Sequence, residues 1–210
     1  MIKTILKKLK KEETPEQKAR KQLFSIQLGK EDIVIDCGAN IGSVTRHLCK
    51  SGAKVYCFEP NPYAFEELKK EFSNMKNVHC ISKGVSVENG KAKLYLHENS
   101  DADEVYWSTG SSLLNFKGNV LNSKYIEIEL IDLCEFIESL NSNIRILKMD
   151  VEGVECKIIN KIINTDVINK IESVFVETHD HKIPELKEET NAIRTLISQR
   201  KIKNINLDWT

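Results

Sequence analysis

The chain has 210 residues, of which 40% are hydrophobic, and its 31 lysines and arginines balance its 31 aspartates and glutamates. This length suits one domain, the hydrophobic content excludes a chain that is disordered throughout, and no apolar run approaches the roughly 20 residues that span a bilayer. The zero net charge argues against binding nucleic acid through bulk charge, so no nucleic-acid partner is expected.

The zero net charge combines a basic N-terminal segment with an acidic body. Residues 1–22 contain eight basic and three acidic side chains, a net charge of +5, and the remaining chain therefore carries −5. Ile2, Leu6 and Leu9 recur at helical spacing between lysines, which predicts a short basic amphipathic helix over 1–11. Either this helix lies on the body of the protein, or it contacts a partner or the inner face of a membrane.

A second short helix is predicted near residues 16–25, separated from the first by Pro15. We therefore divide the chain into an N-terminal helical segment, 1–25, and a single domain, 26–210. Within the domain, strand and helix patterns alternate. This alternation indicates an α/β fold with a doubly wound, mostly parallel sheet and helices on both faces.

The first predicted strand, around 33–35, leads into a glycine-containing turn that reads Asp36-Cys37-Gly38-Ala39-Asn40-Ile41-Gly42. A doubly wound fold binds its ligand at the carboxyl end of this strand. Gly38 permits a tight turn and a close ligand approach, and Gly42 permits the next helix to begin nearby. The glycines are separated by Asn40, which departs from the G-x-G-x-x-G pattern of dinucleotide-binding proteins.

Two acids flank this predicted ligand site. Asp36 would repel a pyrophosphate but attract the ammonium and sulfonium groups of S-adenosyl-L-methionine. Glu59 ends the second predicted strand, 54–58, about 20 residues after the glycine turn, where an acid accepts hydrogen bonds from adenosine ribose hydroxyls. The alternative is that both acids only cap strand ends. Their combination with the glycine turn favours adenosine binding.

The middle of the chain predicts an insertion into this fold. Asn61 is predicted to cap a helix that begins at Pro62, and the third strand follows at 78–81. Residues 91–97 and 125–130 alternate in hydropathy, which predicts a β-hairpin between the third and fourth core strands. Their polar connection contains Trp107 and Ser112 and is either a substrate-covering loop or a plain mobile connector.

The last part of the chain supplies charged groups at two strand ends. The fourth core strand, 144–149, is followed by Asp150 and Glu152, and the fifth, 173–176, is followed by His179 and His181. Strand alternation predicts that Lys148, Asp150 and Glu152 point to the same side. Charges in an apolar strand need partners or a cleft, so these three either line a site or form an internal ion-pair network. A helix from Pro184 and a strand at 204–209 close the chain.

The six cysteines contain no C-x-x-C pair, which gives no support to a zinc or thioredoxin-type site. Most of them lie in apolar runs, where cysteine behaves as a small hydrophobic residue. We interpret them as reduced core thiols of a cytoplasmic protein. The N-terminus lacks the apolar stretch of a secretory signal.

Three segments, 34–42, 58–62 and 147–155, resemble the FkbM family of S-adenosylmethionine-dependent methyltransferases. The third segment is the most specific, because generic methyltransferases share the first two. The resemblance implies a class I, Rossmann-like methyltransferase that methylates a hydroxyl of a sugar, glycolipid or related small molecule. It places the cofactor, S-adenosyl-L-methionine, against a set of loop residues that we extend by two neighbours: Asp36, Gly38, Ala39, Asn40, Gly42, Glu59 and Asn61.

The resemblance also raises a question about the edge of the sheet. The seven-stranded methyltransferase sheet ends with an antiparallel pair, whereas this chain supplies one helix and one strand after Pro184. The last strand is therefore either missing or completed by a second copy of the chain, which would make the protein a homo-oligomer.

Methyl transfer to a hydroxyl requires alignment and a base or a metal ion near the methyl group. His179 is the first candidate for the base, because an imidazole titrates near neutral pH; Asp150 or Glu152 either orients it or is the base. The alternative for His179 is a capping role. Trp107, Ser112 and Lys148 are candidate substrate-binding residues. A metal-free site is preferred over a divalent ion on Asp150, Glu152, His179 and His181.

Two other classes of function are kept as alternatives. The first is a nicotinamide-dependent oxidoreductase, against which Asp36 and the missing second glycine argue. The second is a non-catalytic adaptor on a methyltransferase fold, against which the intact acids and His179 argue. Methyl transfer to an amino group is disfavoured, because the sequence after the fourth strand has no N/D-P-P-Y/F turn.

Overall fold

The computed structural model of the protein describes residues 13–114, 118 and 120–209. The amphipathic helix predicted for residues 1–11 lies outside these residues. The second helix is present as α1, Pro15–Ser25, and begins with a capping box in which the Thr14 hydroxyl accepts a hydrogen bond from the Gln17 N–H. No helix in the described part of the chain is long and apolar enough to cross a membrane.

The core is a six-stranded parallel sheet with the strand order β3-β2-β1-β7-β8-β9, which confirms the predicted fold class. Its strands in chain order are β1 Ile33–Cys37, β2 Lys54–Phe58, β3 Val78–Ile81, β7 Ile146–Met149, β8 Val174–Val176 and β9 Ile205–Asn206. Over residues 13–114 and 120–209 this sheet contains no antiparallel strand. β9 is shorter than predicted, because Asp208 instead forms an isolated antiparallel bridge with Glu177.

Helices cover both faces of the sheet, as expected for a buried parallel sheet. Besides α1 they are α2 Thr45–Leu48, α3 Pro62–Glu71, α4 Leu133–Ser139, α5 Glu155–Asn164 and α6 Lys187–Gln199. Consecutive residues of β1 point to opposite faces: Val34 packs with α1, α2 and α3, and Ile35 packs with α4, α5 and α6. Leu23 of α1 is buried in the first of these layers together with Phe175 and Trp209, so α1 shares the core of the domain.

The insertion is a second, three-stranded sheet with the order β4-β6-β5. β5, Gly90–His97, and β6, Val120–Asp132, form the predicted antiparallel pair. The hairpin prediction was incomplete, because β4, Gly84–Ser86, adds a strand parallel to β6. Three residues are too short to show the alternation that identifies a strand. The connection from β5 to β6 contains a 3₁₀-helix, Tyr106–Gly110.

Candidate active site

One cavity lies at the carboxyl ends of the central strands. The loops after β1 and β2 form one wall of it and the turns after β7 and β8 form another. The residues that line it and that matter for its chemistry are Gly38, Asn40, Glu59, Asn61, Asp150, Glu152, Glu177 and Lys182. Ligands of doubly wound folds bind at this edge of the sheet, so the predicted cofactor loops and the predicted catalytic acids meet where the topology places a ligand.

The two glycines of the first loop are required for different structural reasons. Gly38 has φ +73°, and a Cβ there would lie 1.7 Å from the carbonyl oxygen of Asp150. Only glycine therefore allows the loop after β1 to approach the turn after β7. Gly42 has φ +86°, and a Cβ there would lie 2.4 Å from the Phe72 ring. Gly42 does not line the cavity, which corrects its prediction as a cofactor-binding residue. Its role is to allow close packing against Phe72.

Glu59 is the predicted ribose-binding acid, and the main chain holds it in place. It is 6% exposed. Its two carboxylate oxygens accept hydrogen bonds from the N–H groups of Asn40 and Asn61, each at 2.8 Å. Burial raises the pKa of Glu59 to about 7, against the opposing effect of these two hydrogen bonds. The Glu59 carboxyl therefore lies in the cavity wall in one orientation.

The insertion covers this cofactor half. The Asn40 side-chain amide donates to the Ser108 hydroxyl at 2.8 Å, and the Asn61 amide donates to the Ser111 hydroxyl at 3.3 Å. Asn61 also caps α3, since its side-chain Oδ1 accepts a hydrogen bond from the Tyr63 N–H. Of the two interpretations of the polar connection, the structure thus favours the one in which the connection lies over the site.

Asp36 lies behind the cavity wall, not at its mouth as predicted. It is fully buried, and its carboxylate accepts a hydrogen bond from the Thr45 hydroxyl at 2.6 Å. The Lys148 Nζ lies 3.3 Å from the other Asp36 oxygen. Neither residue lines the cavity, so the direct cofactor contact predicted for Asp36 and the substrate contact predicted for Lys148 are both corrected.

Lys148 instead joins the two halves of the site. Its Nζ donates to the Gly38 carbonyl at 2.9 Å and lies 3.8 Å from an Asp150 oxygen. Burial opposes the charge of this ammonium, but Asp36 and Asp150 outweigh burial and raise the pKa of Lys148. The ammonium therefore stays charged and links the loop after β1 to the acid after β7.

His179 is enclosed by carboxylates. Its Nδ1 lies 2.7 Å from a Glu155 oxygen, and its Nε2 lies 3.2 Å from Glu152 and 3.6 Å from both Asp150 and Glu177. Burial opposes the charged ring, but the nearby Glu152 and Glu155 carboxylates outweigh burial and raise the pKa of His179 to about 10. A protonated ring cannot accept a proton, so the carboxylates around His179 argue against its predicted role as general base.

Asp150 has the properties that were expected of the base. Its side chain is 29% exposed at the cavity, in contrast to the fully buried ring of His179. Burial raises the pKa of Asp150 to about 6, against the opposing charge of Lys148. The carboxylate is therefore mostly ionised at neutral pH and close enough to its titration range to exchange a proton.

Glu152 reaches the cavity through a strained turn. β7 ends at Met149, and Glu152 has φ +60°, so the predicted strand alternation is wrong although its grouping of Asp150 with Glu152 is right. The Ser112 hydroxyl, fully buried, donates to the Glu152 carbonyl at 2.6 Å. Ser112 therefore holds this turn, and its predicted substrate contact is corrected. Strain of this kind persists only where surrounding contacts enforce it.

The candidate metal ligands converge only in part. Ligand atoms of Asp150, Glu152 and His179 lie within 4.8 Å of one another. His181 is not part of this group, and its Nδ1 lies 3.0 Å from the Thr178 carbonyl oxygen. A divalent ion at this position would be held by the Asp150 and Glu152 carboxylates and by a neutral His179 ring.

Three residues of this network were missed in the sequence. Glu155 orients His179 and also accepts from the Gly153 N–H at 2.9 Å. Glu177 follows β8 and accepts from the Lys182 ammonium at 2.8 Å. The position of Glu177 at a strand end was a usable signal for it. Glu155 is the last residue of the family-resembling segment 147–155, which was also a usable signal, whereas nothing in the local pattern distinguishes Lys182 from the charged residues around it.

Comparison with known proteins places this site in context. The family model for the methyltransferase FkbM domain matches residues 36–203. The 2-O-methyltransferase NoeI of Sinorhizobium fredii is 23% identical over 195 residues, which are 88% of this chain and 78% of that protein. The crystal structure of methyltransferase FkbM from Methylobacillus flagellatus superposes with a TM-score of 0.51 at 15% identity, over 81% of this chain. This chain covers 39% of that structure's length.

Proposed function

Because the chain belongs to the FkbM methyltransferase family, we propose that it transfers a methyl group from S-adenosyl-L-methionine to a hydroxyl of a carbohydrate, glycolipid or related small molecule. One observation supports this proposal: the same cavity is lined by Glu59 and by Asp150. Glu59 is positioned to bind an adenosine ribose, and Asp150 is an acid suited to accept a hydroxyl proton. NoeI is a 2-O-methyltransferase, and this similarity supports an oxygen acceptor.

The residues of the cofactor half fit S-adenosyl-L-methionine. Glu59 uses one lone pair of each oxygen for the main chain, which leaves acceptor capacity for two ribose hydroxyls. Asp150, Glu152 and Glu177 supply negative charge farther along the cavity, as a cationic ligand requires. When bound, the cofactor supplies an electrophilic methyl group on a sulfonium.

The catalytic half supplies the proton acceptor and holds it. Asp150 accepts the proton of the acceptor hydroxyl as the methyl group is transferred. Lys148 and His179 lie 3.8 Å and 3.6 Å from its two oxygens and fix their direction. Protonated His179 also holds Glu152 and Glu177 beside Asp150, so the acceptor meets an oriented set of oxygens and needs little reorganisation.

A direct test measures cofactor binding and methyl transfer separately. Calorimetric titration with S-adenosyl-L-methionine should give saturable binding, and isotope-labelled cofactor should methylate at least one compound in a panel of sugars and glycolipids. Failure to bind the cofactor would overturn the proposal. Label transferred to amino groups, with none transferred to hydroxyls, would overturn the assignment of an oxygen acceptor.

A further inference from the structure

A second hollow opens beside the main cavity. Residues from the insertion and from both catalytic turns line it: His97, Trp107, Thr109, Gly110, Glu152 and Lys182. Three of them, Thr109, Glu152 and Lys182, also line the main cavity. The two hollows therefore meet at Glu152, next to Asp150 and to the ring of His179.

Trp107 gives this hollow a firmly held aromatic wall. Its indole stacks on the His97 ring, with centroids 4.2 Å apart and an interplanar angle of 18°. The His97 Nδ1 accepts a hydrogen bond from the Asn99 N–H at 3.1 Å, which fixes the ring beneath the indole. The edge of Trp107 packs against Tyr106. A rigid aromatic side chain offers a large contact area at little entropic cost.

The polar groups around this wall are matched in charge. The Lys182 ammonium is paired with Glu177 at 2.8 Å, and the Glu152 carboxylate lies 3.2 Å from His179. Thr109 adds an uncharged hydroxyl. Such a lining suits a ligand that presents many hydroxyls and a flat apolar face without net charge. A phosphorylated or carboxylated ligand would need an excess of positive charge, which this lining does not supply.

We propose that this hollow is the acceptor subsite and that it binds an uncharged sugar ring, an inference that rests on the proposed methyl-transfer function. The apolar face of the ring lies against Trp107, and its hydroxyls contact Thr109, Glu152 and Lys182. The reacting hydroxyl points past Glu152 toward Asp150, which accepts its proton. Trp107 and Thr109 thereby determine which sugar is accepted, separately from the loops that bind the cofactor.

Tryptophan fluorescence in the unmodified protein tests this assignment. The chain contains two tryptophans, and Trp209 is 2% exposed, so quenching by acrylamide reports mainly on Trp107. The probes are methyl glycosides of glucose, galactose and fucose, added with S-adenosylhomocysteine present. At least one glycoside should protect Trp107 from quenching in a saturable manner. If none protects it, the subsite assignment is overturned.

Two variants separate the subsite from the aromatic surface of the insertion. Trp107→Ala should reduce saturation-transfer NMR signals from the protecting glycoside at least fivefold and leave affinity for S-adenosylhomocysteine unchanged. The control is Tyr125→Ala, which removes a half-exposed aromatic side chain that lines neither hollow. Equal glycoside binding by Trp107→Ala and the unmodified protein would overturn the assignment.

The same samples distinguish this inference from the proposed function. If calorimetry shows that S-adenosylhomocysteine does not bind, the proposed function fails and the subsite loses its premise. If S-adenosylhomocysteine binds while no glycoside affects Trp107, the acceptor subsite alone is wrong. The fluorescence measurement uses the unmodified chain, so the proposal stays testable even where a variant fails to fold.

Discussion

The two halves of the site hold their acids in different ways. In the cofactor half, the main-chain N–H groups of two loop residues fix Glu59. In the catalytic half, the charged side chains Lys148 and His179 fix Asp150 and its neighbours. Main-chain donors cannot titrate, whereas an ion-pair network couples each group to the others. The effects of a substitution in the cofactor half should therefore be confined to that half. A substitution in the catalytic half should also affect the other charged groups of its ion-pair network.

The largest expected effect tests the catalytic half. Asp150→Asn should lower kcat for methyl transfer by about 10²–10⁴-fold, because it removes the proton acceptor while keeping the shape of the side chain. Calorimetry should find that cofactor affinity falls far less than kcat, because Glu152 and Glu177 still supply negative charge in the cavity. The matched control is Asp166→Asn, an exposed acid in the 3₁₀-helix that precedes β8. Unchanged turnover in Asp150→Asn would remove Asp150 from the mechanism.

The next effect belongs to the cofactor half. Glu59→Ala should weaken binding of S-adenosyl-L-methionine by about 1.5–3 kcal/mol, the usual contribution of hydrogen bonds to a charged group. The dissociation constant from calorimetry is the measurement. Turnover at saturating cofactor should change little. A large loss of turnover under saturation would mean that the two halves are not independent.

Two adjacent serines of the insertion provide a smaller and more selective test. Ser112 holds the catalytic turn through the Glu152 carbonyl, whereas Ser111 contacts Asn61 on the cofactor side. Ser112→Ala should lower the free energy of unfolding by about 1–3 kcal/mol, since it leaves a carbonyl without its donor, and should lower kcat. Ser111→Ala should affect cofactor affinity only. Denaturant unfolding and steady-state kinetics check both, and identical effects of the two substitutions would contradict this division.

The smallest effect is a change with pH. The pKa of Asp150 is raised to about 6, so kcat should fall by about half as the pH is lowered to 6. The pKa of Glu59 is raised to about 7, so cofactor affinity should weaken below pH 7, where this carboxyl becomes protonated. Calorimetry and kinetics between pH 5 and 8.5 measure how cofactor affinity and kcat each depend on pH. If both change over the same pH range, the two halves titrate together.

Local sequence signals were enough for much of the fold. The first and last residues of β2 and β3 agree with the prediction, because each strand is a short apolar run between clear turn signals. Asn61 caps α3 as predicted, since capping depends on a few neighbouring residues. Glu59 was placed at the cavity because the end of a parallel strand and the distance from the glycine turn are both readable along the chain.

Contacts between distant residues could not be predicted in the same way. Asp36 was expected at the mouth of the loop, but Lys148, more than a hundred residues away, neutralises it within the core. Ser112 was assigned to substrate, and its actual partner is the carbonyl of Glu152. The strand β4 shows no pattern of its own and is visible only through its pairing with β6.

Periodicity, caps and strand-end residues therefore determined the fold class, the family resemblance and the acids that surround the cavity. Only the folded arrangement shows which of those acids contact one another and which charged groups surround each of them. A pKa depends on burial and on the charges within a few ångströms, and neither of these can be read from the amino-acid sequence. Carboxylates from the turn after β7, from α5 and from the end of β8 enclose the ring of His179, the expected base, and favour its protonated form; we therefore propose Asp150 as the base.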